Sequence, residues 1–422
     1  MRLIVRPGQV GGTVPASPSK SYTHRAMILG LMAPGTSVIN RTLLSEDTLS
    51  TLAAVRQFGA KVLVKGDTVR IKGGNLHCPK EPVDAGNSGT TIRLMTGVAS
   101  LMPCSSVLTG DESLKRRPMG PLIDALREMG VTVIPTLEEG QAPLMIRGPN
   151  RGRGTHIRGD VSSQFISSLI LCSLLKDIDT EIILTTPLVS SPYVDITLEL
   201  MEKFGGRCEE TGEGYLIPGG QVLTPTTLDI PGDFSSAAFP LVAGAISGKV
   251  TVMGLTDQTK QGDRAILDIL EAFGARVVRT EGEIEVSPGD LQGADIDLSG
   301  SPDLFPVVAV LAAHATGRSI LHGAKHLRHK ESDRIRTTVD MLREMGAKVE
   351  EREDGCVVEG PSDLRGARID PHGDHRILMA ATIAALKAKG KTIIGDGGCY
   401  AVSYPDFVKD MTNLGANIEV EE

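Results

Sequence analysis

No stretch of the chain is apolar over the roughly 20 residues that a membrane-spanning helix requires, and the opening MRLIVRPGQ is too short an apolar run for a secretory signal. A cytoplasmic protein is expected. Positive charge is not in excess either: 44 Lys plus Arg stand against 52 Asp plus Glu, a net charge of −8. That balance argues against non-specific nucleic-acid binding, so any anion site has to be local. The six cysteines (Cys78, Cys104, Cys172, Cys208, Cys356 and Cys399) fall in no paired or metal-ligand spacing, and several sit within apolar runs. Reduced thiols and no metal centre are expected. The phosphate-cradling pattern GxxxxGK[ST] is absent, which leaves a nucleotide-binding kinase without support.

What is present is a repeat. The phrase FGAKV at Gly59 recurs as MGVTV at Gly130, FGGR at Gly205, FGARV at Gly274, MGAKV at Gly346 and LGANI at Gly415, with separations of 71, 75, 69, 72 and 69 residues. Each copy reads as a helix stopped by a glycine in the left-handed conformation and followed directly by a strand. A second period runs in step with the first. Small polar residues lead into a nearly unbroken apolar run near Lys20, Asn87, Ser162, Asp233, Asp303 and Asp374, once per repeat. Each repeat therefore holds two helices. The first, as in FISSLILCSLL, is apolar on most of its circumference and should be buried; the second, as in RTTVDMLREM, is amphipathic and should lie nearer solvent. Short runs such as TEIILT, KVTVMG and KTIIGD follow the first helix and read as strands. The fold class is α/β, and 422 residues suffice for two or three domains. Three repeats per half would divide the chain near TPTTLDIPGD, where two prolines and a glycine interrupt the pattern.

Helix starts carry the chemistry. A helix N-terminus offers N–H groups and partial positive charge, so Lys20, Ser21 and Arg25 in PSKSYTHRA make either an anion site or a capped helix with solvated cations. In DAGNSGTTIRLM, Gly89 lets backbone approach a ligand while Asn87, Ser88, Thr90 and Thr91 can donate to it; the same stretch is also an ordinary turn. Lys115, Arg116 and Arg117 crowd the next helix start, against its dipole, where a solvated face is the plainer reading. Ser162, Ser163 and Gln164, then Ser190 and Tyr193, supply neutral donors that double as caps. Asp233, Ser235 and Ser236 read as caps. In the fifth repeat Asp303 lies against a strongly apolar helix, and HLRHKESDRIR gathers His326, Arg328, His329, Lys330, Glu331, Asp333 and Arg334, either a pKa-tuning mixture or a surface ion-pair network. The last repeat gives Asp374, His375 and Arg376 at the opening of an apolar helix. Arg117, Tyr193 and Arg334 stand 13, 12 and 12 residues upstream of their closing glycines, at the same end of equivalent helices. If the repeats pack alike, these ends converge on a cleft.

PSKSYTHRA, GNSGTTIR, RRPMG, SSQF, SPDLFP, KESDR and GDHR, in this order from about residue 7 to 411, resemble the 5-enolpyruvylshikimate-3-phosphate synthase family. The resemblance implies an inside-out α/β domain pair with three repeats in each. It places an N-terminal domain at 12–227 and a C-terminal domain at 1–11 with 228–422, joined by two crossovers. It implies transfer of the carboxyvinyl group of phosphoenolpyruvate to the 5-hydroxyl of shikimate 3-phosphate by addition and elimination, with release of phosphate. No metal or organic cofactor is implied, and the expected partners are those two small molecules, acted on by a monomer, with no nucleic acid and no membrane. By motif, Lys20, Ser21, Arg25, Ser162, Ser163, Gln164, Ser190, Tyr193, Asp303 and Lys330 look like shikimate 3-phosphate contacts. Lys20, Gly89, Thr90, Arg117, Gln164, Arg334 and Arg376 look like phosphoenolpyruvate contacts. Asp303 is the expected base for the 5-hydroxyl, with Glu331 and Lys20 moving protons at C3 of the donor. Gathering so many cations implies an apo form that opens by mutual repulsion and closes on anions.

The chain departs from the family pattern in two places. His326 stands where an Asn is frequent, and Val402 where a Lys often precedes the final aromatic-proline; Lys409 is the expected substitute for that lysine. Two other readings compete. UDP-N-acetylglucosamine enolpyruvyl transferase shares fold and donor but usually carries a Cys on the loop before its Arg-Pro, and DESLKRRPMG has none. A non-catalytic repeat protein binding phosphorylated metabolites would have no need of Asp303 or Glu331.

Overall fold

The computed structural model describes residues 1–421. The chain forms two compact units, one of Pro18–Ile230 and the other of Met1–Ser17 with Pro231 onward. Both are built from one repeat. A buried helix, a strand, an outer helix and a hairpin follow one another, and a leading strand completes a four-stranded sheet, so that the described residues hold six such sheets. The six closing glycines take positive φ, from 79° at Gly205 to 115° at Gly59. A side chain is strained there, so the outer helix stops and the chain turns into the hairpin.

The second repeat shows the pattern. Val83–Asp84 runs parallel to Ser105–Thr109, which pairs antiparallel with Leu144–Arg147, which pairs antiparallel with Thr132–Pro135. The helix Gly89–Ser100 makes the crossover between the two parallel strands. The third repeat, with Gly154–Ile157 leading, and the fifth, with Asp295–Asp297 leading, keep this order. Three strands come from elsewhere in the chain. Val10–Pro15 leads the fourth repeat, parallel to Gly248–Met253 with Gly12 opposite Val250. Thr227–Asp229 leads the first, parallel to Gly35–Asn40. Arg2–Arg6 completes the last sheet, between Thr392–Ile394 and Asn417–Glu421. These loans move the boundaries expected from sequence. Because the strand Val10–Pro15 belongs to its sheet as far as Pro15, the first division falls after Ser17 rather than before Gly12, and the pairing of Thr227–Asp229 moves the second to Ile230.

Inner helices form the two cores. All fourteen residues of Phe234–Ser247 are buried, and Phe305–His314 buries every residue up to Ala313. The outer helix Arg334–Glu344 buries only the stripe Arg334, Ile335, Thr338, Val339, Met341 and Leu342. Inner helices approach closely where residues are small. Ser168 of Ser163–Ser173 donates its hydroxyl to the Arg93 carbonyl at 2.7 Å and accepts the Gly97 amide at 3.1 Å. A Cβ on Gly97 would meet the Ser168 backbone, so this contact requires glycine.

Cysteine corrects the sequence reading. Cys78, in the connection after Thr68–Gly73, and Cys104, in the turn before Ser105–Thr109, form a disulfide with Cα atoms 6.2 Å apart. Their separation of 26 residues matches no motif; the side-by-side packing of the first two repeats brings them together. Cys172 and Cys356 are buried thiols.

Candidate functional site

In the 18–230 unit the expected residues stand at helix starts. Lys20 is the first residue of Lys20–Met32, and its ammonium lies 2.8 Å from Asp47 Oδ2. Ser21 offers its carbonyl to Arg25 Nη1 at 3.0 Å. Arg25 is almost sealed from solvent: it also donates to Thr197 Oγ1 at 2.6 Å, to Ser167 Oγ at 3.4 Å and to the Tyr193 carbonyl at 3.0 Å. Burial pushes its guanidinium down to about 10, with the phenols of Tyr193 and Tyr22 opposing that shift. Arg25 therefore ties the first inner helix to the outer helix Pro192–Lys203 of the third repeat.

A second group surrounds the start of Gly89–Ser100. Ser88 caps that helix by accepting from Thr91 N. Arg93 Nη1 donates to Gln164 Oε1 at 2.8 Å and to Ser162 Oγ at 3.5 Å, and Gln164 Nε2 donates to Thr90 Oγ1 at 2.9 Å. The Arg93 guanidinium lies 5.2 Å from the Phe165 ring centroid. Of the three adjacent cations, Lys115 pairs with Glu112, Arg116 is exposed, and only Arg117 turns inward, where it donates to Asn87 Oδ1. A Cβ on Gly89 would stand 3.0 Å from Arg117 Nη1. Ser163 is buried in the first turn of its helix, and Ser190 takes φ 53° just before the outer helix.

In the other unit the acid–base mixture resolves into two networks. Arg328 pairs with Asp333 at 2.8 Å and Glu351 at 2.9 Å, partly exposed, as a surface network would. Arg334 is 1% exposed and is held by three carboxylates: Asp303 Oδ1 at 2.8 Å, Glu331 Oε2 at 2.5 Å and Asp374 Oδ2 at 2.9 Å. Arg376 donates to Asp303 Oδ2 at 2.8 Å and to Ser235 Oγ at 3.0 Å. Asp303 thus sits between two guanidiniums. Burial would raise its pKa, but Arg376, Lys330 and Arg334 outweigh that and hold it well below the usual carboxylate range, with Glu331 opposing. For Arg334, burial is outweighed by Asp374, Glu331 and Asp303, which raise its pKa. His326 is pushed down to about 4 by burial and then by Lys330, against the pull of Asp303. Lys409 is mostly exposed and pairs with Asp406 at 3.3 Å.

Ion pairs join Asp303, Glu331, Arg334 and Arg376, with the charge of Lys330 felt at Asp303. Ser21, Arg25 and Tyr193 form another group, and Thr90, Ser162 and Gln164 a third, through Arg93. Sequence reasoning passed over Asp47 and took Ser235 only for a cap. Asp374 is a cap, accepting from Arg376 N at 2.9 Å, and it also anchors Arg334.

This architecture, six four-stranded repeats among the described residues with inner helices and cation-rich helix starts, defines a two-unit α/β class of protein. A solved enolpyruvyl transferase NikO from Streptomyces tendae shares the fold, with TM-score 0.81 at 20% identity over 99% of this chain and 98% of that one. The family model described as EPSP synthase (3-phosphoshikimate 1-carboxyvinyltransferase) matches residues 4–411. A 3-phosphoshikimate 1-carboxyvinyltransferase of Methanocorpusculum labreanum is 50% identical across 100% of both chains, and one of Methanocella arvoryzae is 46% identical across 97% of this chain and 98% of the other. The solved EPSP synthase of Acinetobacter baumannii superposes with TM-score 0.84 at 31% identity, covering 100% of each. The chain belongs to the EPSP synthase family.

Proposed function

We propose that this chain carries out the reaction for which its family is named, moving the enolpyruvyl group of phosphoenolpyruvate onto the 5-hydroxyl of shikimate 3-phosphate. The 5-hydroxyl adds to C2 of the donor as C3 takes a proton; C3 then loses a proton as phosphate leaves. The observation that supports this most is Asp303, a half-buried carboxylate flanked by two guanidiniums at 2.8 Å. Its role is to take the proton of the 5-hydroxyl. With both oxygens engaged it is a weak base. Anions of the donor draw Arg334 and Arg376 towards themselves, and the basicity of Asp303 rises as they do.

The remaining roles follow the chemistry of the side chains. Arg117, Arg334 and Arg376, with Lys20, Gln164, Thr90 and the backbone at Gly89, hold the donor's phosphate and carboxylate. Ser21, Arg25, Ser162, Ser163, Ser190, Tyr193 and Lys330 serve the acceptor, alongside Lys20 and Gln164. Arg25 acts largely through the atoms it orients, since its donors are mostly engaged by the protein. Glu331 and Lys20 share proton transfer at C3. No step calls for a metal or an organic cofactor. The protein acts as a monomer in the cytoplasm, independent of nucleic acid or membrane.

The test is phosphate release from phosphoenolpyruvate by the purified protein with either acceptor. Release with shikimate 3-phosphate alone is expected. Release with UDP-N-acetylglucosamine alone would move the chain to the related sugar-nucleotide reaction, and release with neither would favour a binding protein.

A further inference from the structure

Lys20 is paired with a residue of the neighbouring helix. Its ammonium lies 2.8 Å from Asp47 Oδ2, and the two side chains are 15% and 7% exposed. Asp47 is the second residue of Glu46–Gln57, whose start is fixed by a reciprocal capping box between Ser45 and Thr48. A buried polar chain then ties this helix to its neighbours. Thr51 Oγ1 lies 2.7 Å from His24 Nδ1 and 2.6 Å from Thr91 Oγ1, and Thr91 Oγ1 donates to Ser88 Oγ at 2.7 Å and towards the Asp47 carbonyl at 3.4 Å. His24 is held well below its ordinary pKa, first by burial and then by the charges of Lys20 and Arg25, so it stays neutral. The helix that carries Asp47 is thereby tied, through Thr51 and the Asp47 carbonyl, to the helix start that carries Gly89 and Thr90.

We infer that Asp47 is a positioning residue for catalysis: it fixes the Lys20 ammonium relative to the start of the Gly89–Ser100 helix, so that proton transfer at the donor begins from one geometry. The inference rests on the role proposed above for Lys20. A flexible lysine has four side-chain rotors to order, and a buried carboxylate at hydrogen-bond distance removes that freedom before substrate arrives. An ammonium displaced by about 1 Å costs up to roughly a hundredfold in turnover.

The test uses the full chain with Asp47→Asn and Asp47→Glu. For Asp47→Asn, kcat is expected to fall roughly 10- to 100-fold, with KM for shikimate 3-phosphate within about threefold and the melting temperature little changed. Asp47→Glu keeps the charge and should recover part of the loss. A second readout is independent of turnover. Amidination of Lys20 by methyl acetimidate, followed by peptide mass spectrometry, should quicken several-fold in Asp47→Asn as the ammonium comes loose. A kcat within twofold of wild type overturns the inference, and so does a loss of kcat with unchanged Lys20 labelling, because Asp47 would then act by another route. If Asp47→Asn does not fold, Asp47→Ser, which also removes the carboxylate, carries the test, and a kcat within twofold of wild type in it is the contrary result. An inactive wild type would count against the proposed reaction instead, leaving the labelling comparison to decide whether Asp47 holds Lys20.

Discussion

Asp303 Oδ2 lies 2.8 Å from Arg376 Nη2, and its other oxygen lies 2.8 Å from Arg334 Nη1, so both edges of one carboxylate are taken by guanidiniums. Neutralising it removes the proposed base and leaves two buried cations short of an anion. Asp303→Asn should lower kcat by about 10² to 10⁴, the ordinary contribution of a positioned base. Affinity for shikimate 3-phosphate should stay within an order of magnitude. Steady-state kinetics and titration calorimetry separate the two; collapse of binding with unchanged turnover per complex would make Asp303 a ligand-orienting group.

Gly89 faces Arg117. A methyl group there would stand 3.0 Å from Arg117 Nη1, and Arg117 is buried and tied to Asn87. Gly89→Ala should displace the guanidinium by a few tenths of an ångström and raise KM for phosphoenolpyruvate roughly tenfold, about 1.4 kcal/mol. KM for shikimate 3-phosphate should change little. Equal effects on both would show that the whole helix start had moved.

His326 gives a pH signature. Its folded-state pKa, about 4, lies below the ordinary 6.5, so the unfolded chain binds the extra proton first. Stability from this group is fully present above about 6.5 and is lost as pH falls towards 4. His326→Asn should flatten the wild-type decline across that window. Denaturant melts at a series of pH values measure it, and identical slopes in both proteins would contradict the assignment.

The Cys78–Cys104 bridge closes a loop across the first two repeats. Its separation of 26 residues corresponds to roughly 3.5 kcal/mol of chain entropy removed from the unfolded state. The double variant Cys78→Ser, Cys104→Ser, or reduction of the native protein, should lower the melting temperature without altering KM for either substrate. A thiol count of six in the unreduced, denatured protein would show that the bridge does not form.

The repeat was legible because it depends on local chemistry. A glycine at positive φ and a polar-to-apolar step at a helix start each leave a mark on adjacent residues, as Gly346 and Asp374 do. Strand loans leave none: Val10–Pro15 and Thr227–Asp229 look like any short strand, and only their pairing assigns them to the fourth and first repeats. The disulfide escaped for the same reason, since its two cysteines are neighbours in space and not in pattern. Arg334 and Asp303 were named as candidates from motif, but their direct pairing and the anchoring of Arg334 by Asp374 come from packing. Asp47 escaped because an acid in the first turn of an outer helix is ordinary. Its contact with Lys20, across 27 residues, is visible only when the helices are placed.

The most direct test of the proposed reaction is mass spectrometry of the product formed from phosphoenolpyruvate and shikimate 3-phosphate in deuterium oxide. Addition turns C3 of the donor into a methyl group with one solvent-derived hydrogen, and elimination removes any one of the three. The account predicts an enolpyruvyl ether of shikimate 3-phosphate carrying solvent deuterium in its vinyl group, together with free phosphate. A vinyl group without deuterium would contradict addition and elimination, and the absence of any shikimate-derived product would contradict the proposed function itself.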